Sequence, residues 1–554
     1  MDTQRLILFF VFSFSLLLLW DSWQKEQHPP IPVVAESQKP GSAQATVPDP
    51  SVPTQATPAA QQKPGEAIPP AQAAQAKHEQ VTVKTDNFIA DIDLQGGDIV
   101  RLELPKQKDT LDENANFVLF TPAHRYFAES GLIGPGLPTH KTMYRAEAKE
   151  YALTPGQDTL QVKLEAPGPE GVKTVKTITF HRGSYVIDIS HEIVNDSATP
   201  LPPAHAYFQF LRDEAPPAGD PKMVHTYTGP AIYTEQDKFH KLPFPDLDKG
   251  KASYPKSADN GWIAMLQHYF VSAWLPKEGT PREYYAKPLA DKLYSVGVIL
   301  PLAAIAPHAS GSVSVSLYAG PQEQAALKDI APGLNLTVDY GWLTVIASPI
   351  FSLLQFLHKW VGNWGVSIIL LTVMIKAVFF PLSAASYKSM AKMKLVTPRM
   401  TKLREQYGND RARLNQAMME LYKTEKINPL GGCLPIVVQI PVFISLYWVL
   451  LASVELRHAP FYLWIHDLSA QDPYYVLPLL MMGSMLIQTK LNPVPPDPVQ
   501  AKVMMIMPFA FGIMFFFFPA GLVLYWLVNN ILSIAQQWQI SRMIGGGDKG
   551  RARR

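Results

Sequence analysis

Residues 365–381, GVSIILLTVMIKAVFFP, form an apolar run broken by a single charge, Lys376, and closed by Pro381. Chain of this hydropathy belongs in lipid. Four further runs follow it, at 434–452, 474–488, 503–518 and 522–535. Several are shorter than the roughly 20 residues that a bilayer needs, which predicts local thinning or an irregular boundary around them. A lysine near the centre of a span costs about 2.5 to 3.5 kcal/mol on insertion scales, so its presence calls for a reason. Two stay open: the ammonium snorkels past Pro381 to the headgroups, or it serves a site within the membrane. Thr372 stands one turn away on the same face, and Gln439, Ser484, Gln488, Asn529 and Asn530 give the other runs polar positions. Together they predict a water-filled recess; singly, each fits a helix-packing hydrogen bond.

Working back from this run, residues 341–362 carry apolar positions at helical spacing around Ser348, Gln355 and His358. With Trp342, Trp360 and Trp364 suited to the headgroup region, they predict an amphipathic helix lying on the membrane. Residues 79–340 are of another kind. Short stretches such as VTVKTDNFIADIDL, GDIVRLEL, DTLQVKLEA, VKTVKTITF, SYVIDISHEIV, LYSVGVIL and GSVSVSLYAG alternate and are rich in Val, Ile, Thr and Tyr. They predict a large, mostly antiparallel β-sandwich in water. Residues 25–78, rich in Pro, Ala and Gln, read as a semi-extended linker. Residues 1–24 hold LILFFVFSFSLLLLW, which reads as an uncleaved first transmembrane anchor. The fold class is thus a polytopic α-helical membrane protein, six transmembrane helices with a five-helix core at 363–540, carrying a large β-sandwich.

Orientation follows from the basic residues in short loops. The segment 383–428 carries Lys388, Lys392, Lys394, Arg399, Lys402, Arg404, Arg411 and Arg413, while the loop 453–473 holds Arg457 as its one Lys or Arg, and the tail 541–554 is basic. Loop and tail are therefore expected in the cytoplasm, with the β module across the membrane and both termini inside. Met393, Val396, Met400, Leu403 and Tyr407 step by three and four, Gly408-Asn409-Asp410 offers a turn, and Leu414, Met418 and Leu421 resume the spacing. This is a helical hairpin. It fits a positive-inside anchor, and it fits equally a docking arm whose methionines give adaptable apolar surface.

The closing stretch MPFAFGIMFFFFPAGLVLYWLVNN turns at Pro519-Ala520-Gly521 between two aromatic-rich spans, fitting either an interface belt or a lipid-accessible sliding surface. A net charge of +2 over 554 residues excludes a binder whose whole surface is basic, so no direct nucleic-acid recognition is expected beyond contact with a ribosome. The one cysteine, Cys433, forms no intrachain disulfide and reads as a packed small residue. Phosphate-loop, HExxH, GxSxG and paired-cysteine patterns are absent, so no cofactor, metal or covalent catalytic site is expected. His191 and His205 lack ligand spacing and read as packing or surface residues. A transporter would need further intramembrane charges and inverted repeats; a carbohydrate enzyme would need a convergent carboxylate or histidine site and would leave five spans without purpose.

The stretches YGWL, VGNWGVSIILLT, FPLSAASYKSMAKMK, NPLGGCLPIVVQIPVFISLYWVL, SVELRHAPFYLWIHDLSAQDPYY and FPAGLVLYWLVNN resemble the YidC/Oxa/Alb membrane protein insertases, in the long Gram-negative YidC form. The resemblance covers about 200 residues of the membrane half; for the anchor, linker and β module it is architectural. It implies an inner-membrane insertase and foldase for integral membrane proteins, acting alone or with the Sec translocon (SecYEG, SecDF). A hydrophilic groove open to cytoplasm and lipid is implied, with a basic residue, usually Arg, at the position of Lys376. Thr372 matches a groove-lining position, Phe443 an aromatic facing the substrate, and Trp526 a place where relatives often carry Tyr; Gln439 and Asn529 are expected in the same groove. Nascent inner-membrane proteins, the ribosome, signal-recognition targeting machinery and membrane lipid are the implied partners, and a sugar-epimerase-like supersandwich is implied for the β module.

Overall fold

The computed structural model describes residues 79–551 except 113, 170, 220–225, 408–409, 426–433 and 493–497. The expected anchor, the linker, Cys433 and the last three tail residues lie outside the described residues.

The β module consists of two sheets laid face to face. One runs in the order Ser257–Ala258, Arg282–Pro288, Leu293–Leu302, Ala204–Asp213, Phe127–Ile133, Asp98–Lys108, Ile89–Asp93, Gln80–Lys84 and Glu150–Ala152, with Asn116–Phe120 paired to Asp98–Lys108. The other runs Lys238–Lys241, Gly229–Thr234, Trp262–Gln267, Phe270–Leu275, Ala309–Pro321, Val186–Asn195, Val172–His181, Thr159–Pro167 and Arg145–Ala146. Pairing is antiparallel apart from Gln80–Lys84 with Glu150–Ala152. Alternation is cleanest in Thr159–Pro167, where Val162, Leu164 and Ala166 turn inward and their neighbours face water. Trp262–Gln267 and Phe270–Leu275 show no such alternation, because both of their faces are covered. Inner faces meet in one apolar core, with Phe208 and Trp274 at 5.3 Å across it.

Within this core sits a buried charge pair. Lys176 donates to Asp98 Oδ1 at 2.9 Å and to the carbonyl of Gly96 at 2.9 Å, and the amide of Ser130 donates to the same Asp98 oxygen at 3.0 Å. His191 lies against Ser130 Oγ at 3.0 Å, fully enclosed. Burial, and secondarily the Lys176 ammonium, hold its imidazole well below the ordinary histidine range. His191 is thus a packing residue, as its sequence context suggested, while His205 borders a shallow surface hollow.

Two short helices, α1 (Phe244–Asp248) and α2 (Gln324–Ile330), belong to the β module. Then come α3 (Thr344–Val361), α4 (Trp364–Val378), α5 (Phe380–Tyr407), α6 (Arg411–Thr424), α7 (Leu434–Ala452), α8 (Val476–Leu491), α9 (Pro498–Phe515) and α10 (Ala520–Arg551). α3 is two-faced: Ala347, Phe351 and Leu354 are buried at helical spacing while Val345, Phe356 and Trp360 are exposed. Gly362, at φ 65°, ends it in the left-handed region that glycine enters without steric cost.

The first span stops earlier than its hydropathy suggested. The apolar run extends to Pro381, yet α4 ends at Val378 and the axis turns by 67° into α5. Pro381 accounts for this: with no amide to donate, it is best placed in the first turn of a helix, and here it stands second in α5. Among the described residues no single helix is long and apolar enough to cross a membrane; the bent pair of α4 and α5 is, taken together. α4, with 15 residues, is about 22 Å long against a hydrocarbon core of about 30 Å.

The two halves share a second core. Ala231, Tyr233, Trp262 and Tyr318 from the outer face of one sheet pack in one cluster with Tyr340, Phe351, Leu446 and Leu450. Trp262 Nε1 donates to the carbonyl of Pro332 at 2.9 Å, and His268 Nε2 lies 3.0 Å from the carbonyl of Leu451.

Lys176→Met, which strands Asp98 in the core, is expected to lower stability by about 3 to 5 kcal/mol, and adding Asp98→Asn to restore most of it; denaturant unfolding of the full chain in detergent, read by tryptophan fluorescence, checks both. A neutral, buried His191 contributes stability that is present above the unfolded imidazole pKa and is lost as pH falls below about 6.5. The melting temperature of the full chain should therefore drop between pH 7.5 and 5.5, and His191→Gln should shallow that slope.

Candidate functional site

α4 starts where it does because Asn363 caps it, its Oδ1 accepting from the amide of Val366 at 3.0 Å. The same side chain donates to the carbonyl of Phe461 at 3.1 Å, fixing the helix start to the 453–475 loop. Gly365 is required there: a Cβ would stand 2.1 Å from the Phe461 ring. That loop also grips α8 and α10. Asp472 accepts from Trp464 Nε1 and from the amides of Tyr474 and Leu477, and the amides of Ala520 and Gly521 donate to Ala470 and Leu468. One end of the helix cluster is thereby closed by a hydrogen-bonded loop.

At the other end, a cavity of about 270 Å³ opens between α4, α5, α7, α8 and α10. Lys376 enters it from α4, nine-tenths buried, and its Nζ donates to Ser533 Oγ at 2.7 Å. Ser533 in turn donates to the carbonyl of Asn529 at 2.7 Å. Gln439 Nε2 donates to Asn529 Oδ1 at 2.7 Å, Asn530 Nδ2 to Ser484 Oγ at 2.8 Å, and Gln537 Nε2 to Asn492 Oδ1 at 3.0 Å. No carboxylate lines the cavity, and Lys376 has no ion pair among the described residues. Its ammonium thus turns inward onto α10. The result is a hydrated-type lining of amides and hydroxyls around one uncompensated positive charge.

Of the residues expected here, Lys376, Gln439, Phe443, Gln488, Trp526, Asn529 and Asn530 line this cavity, while Ser484 stands behind Asn530 as its acceptor. Thr372 does not: it is buried and its hydroxyl donates to the carbonyl of Ile368 at 2.6 Å, one turn back in its own helix. Ser383, Ser386, Tyr387 and Ser533 line it without having been anticipated. Their signal was present in SAASYKSM, where positions 383, 386, 387 and 390 share one helix face, and in the four-residue step from Asn529 to Ser533. Beyond the polar lining, Phe443 meets Trp526 edge-on at 4.7 Å, and a column of rings continues through Phe515, Phe518 and Tyr447 at 5.0, 5.9 and 6.0 Å. Trp526 Nε1 is buried and has no acceptor among the described residues.

α5 and α6 form a hairpin held by Val396 and Met400 against Met393, Met418, Leu421 and Tyr422. Asp410 caps α6, accepting from the amides of Ala412 and Arg413, each at 3.1 Å. Lys388, Lys392, Lys394, Arg399, Lys402 and Arg413 are exposed, Arg404 is half-buried, and the side chain of Arg411 lies outside the described residues. Arg399 pairs with Glu425 at 2.5 Å, and Arg413 with Asp410 at 3.4 Å.

Two family descriptions account for almost all of the described chain: "YidC periplasmic domain" matches residues 80–353 and "60Kd inner membrane protein" residues 356–546. A relative from Nitrosospira multiformis, "Membrane protein insertase YidC", is 58% identical over 99% of this chain and 98% of its own length. This chain belongs to the YidC family of membrane protein insertases. A second YidC, from Dechloromonas aromatica, is 57% identical over 99% of both chains. A solved structure described as an active YidC insertase with its first transmembrane domain resolved aligns at TM-score 0.39 and 19% identity, over 83% of this chain and 92% of that one. YidC membership fixes the coarse setting: an inner-membrane protein with a periplasmic domain, here the β module.

Proposed function

We propose that this chain inserts integral inner-membrane proteins through the recess around Lys376 and assists their folding. One observation carries the reading: a nine-tenths-buried ammonium in a polar-lined cavity with no carboxylate among the described residues. An acidic flank of a nascent segment supplies the missing anion. At an effective dielectric of about 20, two unit charges 4 Å apart attract by about 4 kcal/mol, comparable with the cost of carrying one aspartate to a span centre. The attraction thus offsets the step that opposes entry, while the amides and hydroxyls of Gln439, Asn529 and Ser533 keep the flank hydrogen-bonded. The apolar part of the substrate moves along α7 and α9 into lipid, driven by about 25 cal/mol for each Å² of apolar surface removed from water. Phe443 and Trp526 stand where the polar lining gives way to aromatic surface. Short helices such as α4 thin the bilayer that the flank must cross. No bond is made or broken in this mechanism, so it calls for no catalytic group.

In this arrangement the α5–α6 hairpin and the C-terminus are cytoplasmic, as is the N-terminus. The exposed basic side chains of the hairpin dock ribosomes and signal-recognition targeting machinery, and the family resemblance supports cooperation with the Sec translocon, including SecDF. Among the described residues two of the named side chains, Arg399 and Arg413, are held in ion pairs, and the exposed lysines beside them support docking over a purely orienting role.

Liposomes containing the full chain and a short membrane-protein substrate test the groove: Lys376→Arg should insert near the wild-type rate, Lys376→Ala more slowly and Lys376→Glu slowest. Equal insertion by all four proteins would remove the electrostatic role given to Lys376. Replacing Lys388, Lys392, Lys394 and Lys402 together by Gln should weaken co-sedimentation with ribosomes and blunt its salt dependence, with membrane orientation unchanged by protease mapping; an inverted hairpin with intact ribosome binding would mean that these lysines act as a topological anchor alone.

A further inference from the structure

A larger cavity, of about 650 Å³, lies where the β module meets the membrane helices, in the size range of small-molecule pockets. The aromatic column that begins at Phe443 ends on its wall, at Phe518 and Tyr447. It has two chemically different ends. At one, Arg457 is nine-tenths buried, its guanidinium 5.4 Å from the ring centres of both Phe117 and Phe270. Its Nη2 donates to Thr110 Oγ1 at 3.0 Å, but Nη1 has no acceptor among the described residues. A buried charged donor left unmade is costly and calls for a partner. Beside it His458, held in the left-handed backbone region at φ 54°, aims Nδ1 at Asp467 Oδ2, 3.3 Å away. A carboxylate oxygen accepts, so the Nδ1 side of the ring faces Asp467 and Nε2 is the atom left to meet a ligand. That Nε2 is buried and has no partner among the described residues either.

Among the described residues this end of the cavity therefore leaves two hydrogen-bonding positions unfilled side by side: Arg457 Nη1, which feels the Asp467 carboxylate without bonding to it, and His458 Nε2. The other end is lined by Tyr447, Leu451, Phe517 and Phe518, and Phe517, 55% exposed, forms a lip on the outside of the helix cluster. A phospholipid supplies all three complements in one molecule. We propose that this cavity holds one phospholipid whose phosphodiester accepts from Arg457, whose protic headgroup, glycerol or ethanolamine, donates to His458, and whose acyl chain leaves past Phe517. A bound lipid here fills the seam between the two halves of the chain. The site is independent of the Lys376 recess.

Native mass spectrometry of the full chain, exchanged in mixed micelles, tests this. One phosphatidylethanolamine or phosphatidylglycerol should be retained at least about tenfold more tightly than phosphatidylcholine, whose headgroup has no donor. Arg457→Gln should weaken retention by about tenfold or more, and Ala218→Trp, at an exposed position on the cavity rim, should block it without touching the core. Thermal unfolding identifies a misfolded Arg457→Gln protein, in which case Ala218→Trp decides. Equal retention of phosphatidylcholine, retention unaffected by Ala218→Trp, or release of the lipid by millimolar inorganic phosphate alone would each overturn the proposal.

Discussion

A polar group removed from water must be given partners, and in an apolar setting this requirement governs geometry more strictly than packing does. Lys376 is the extreme case. Its ammonium reaches Ser533 on α10, and Ser533 is in turn tied to the backbone of Asn529, whose amide side chain holds Gln439 of α7. One contact thus draws together three helices that are far apart in sequence. The remaining hydrogen-bonding capacity of the ammonium faces a cavity lined by amides and hydroxyls. Replace that lining with leucines and the charge could not stay; remove the charge and the polar lining would lose its reason.

The same requirement is met by different means at the opposite end of the cluster. There the 453–475 loop satisfies backbone groups at the starts of α8 and α10, with Asp472 serving three donors at once. Such a loop is rigid where the recess is open. The asymmetry, one end sealed by hydrogen bonds and the other lined for water, gives the helix cluster a direction.

Much of this was legible in the sequence, and the reasons are physical. Strands such as 159–167 and 172–180 announce themselves by alternation because one of their faces meets water or its margin. Trp262–Gln267 and Phe270–Leu275 do not, because both faces are covered and period two disappears. Lys376 stood out because a charge in an apolar run is anomalous at any position. Ser383, Ser386 and Ser533 passed unnoticed because serine is unremarkable in both hairpin and span, and only the fold brings them beside the ammonium. Thr372 illustrates the reverse: its spacing is right, yet a hydroxyl in a helix has its own backbone carbonyl within reach, and there it is bonded. The buried Asp98–Lys176 pair was equally silent, since its partners lie 78 residues apart.

The bend after Val378 has a mechanical side. α5 is one continuous helix of 28 residues, about 42 Å from Phe380 to Tyr407. Its first turns carry Ser383 and Ser386 into the recess, and its far end is the tip of the hairpin. Were α5 rigid, a tilt of about 10° about Phe379 would barely shift the two serines yet carry the tip through roughly 7 Å, but Pro398 has no amide to close the ladder at mid-length and softens the rod there. Tip and chamber are thus joined by an arm softened at two prolines, Pro381 and Pro398, and not by a single stiff beam.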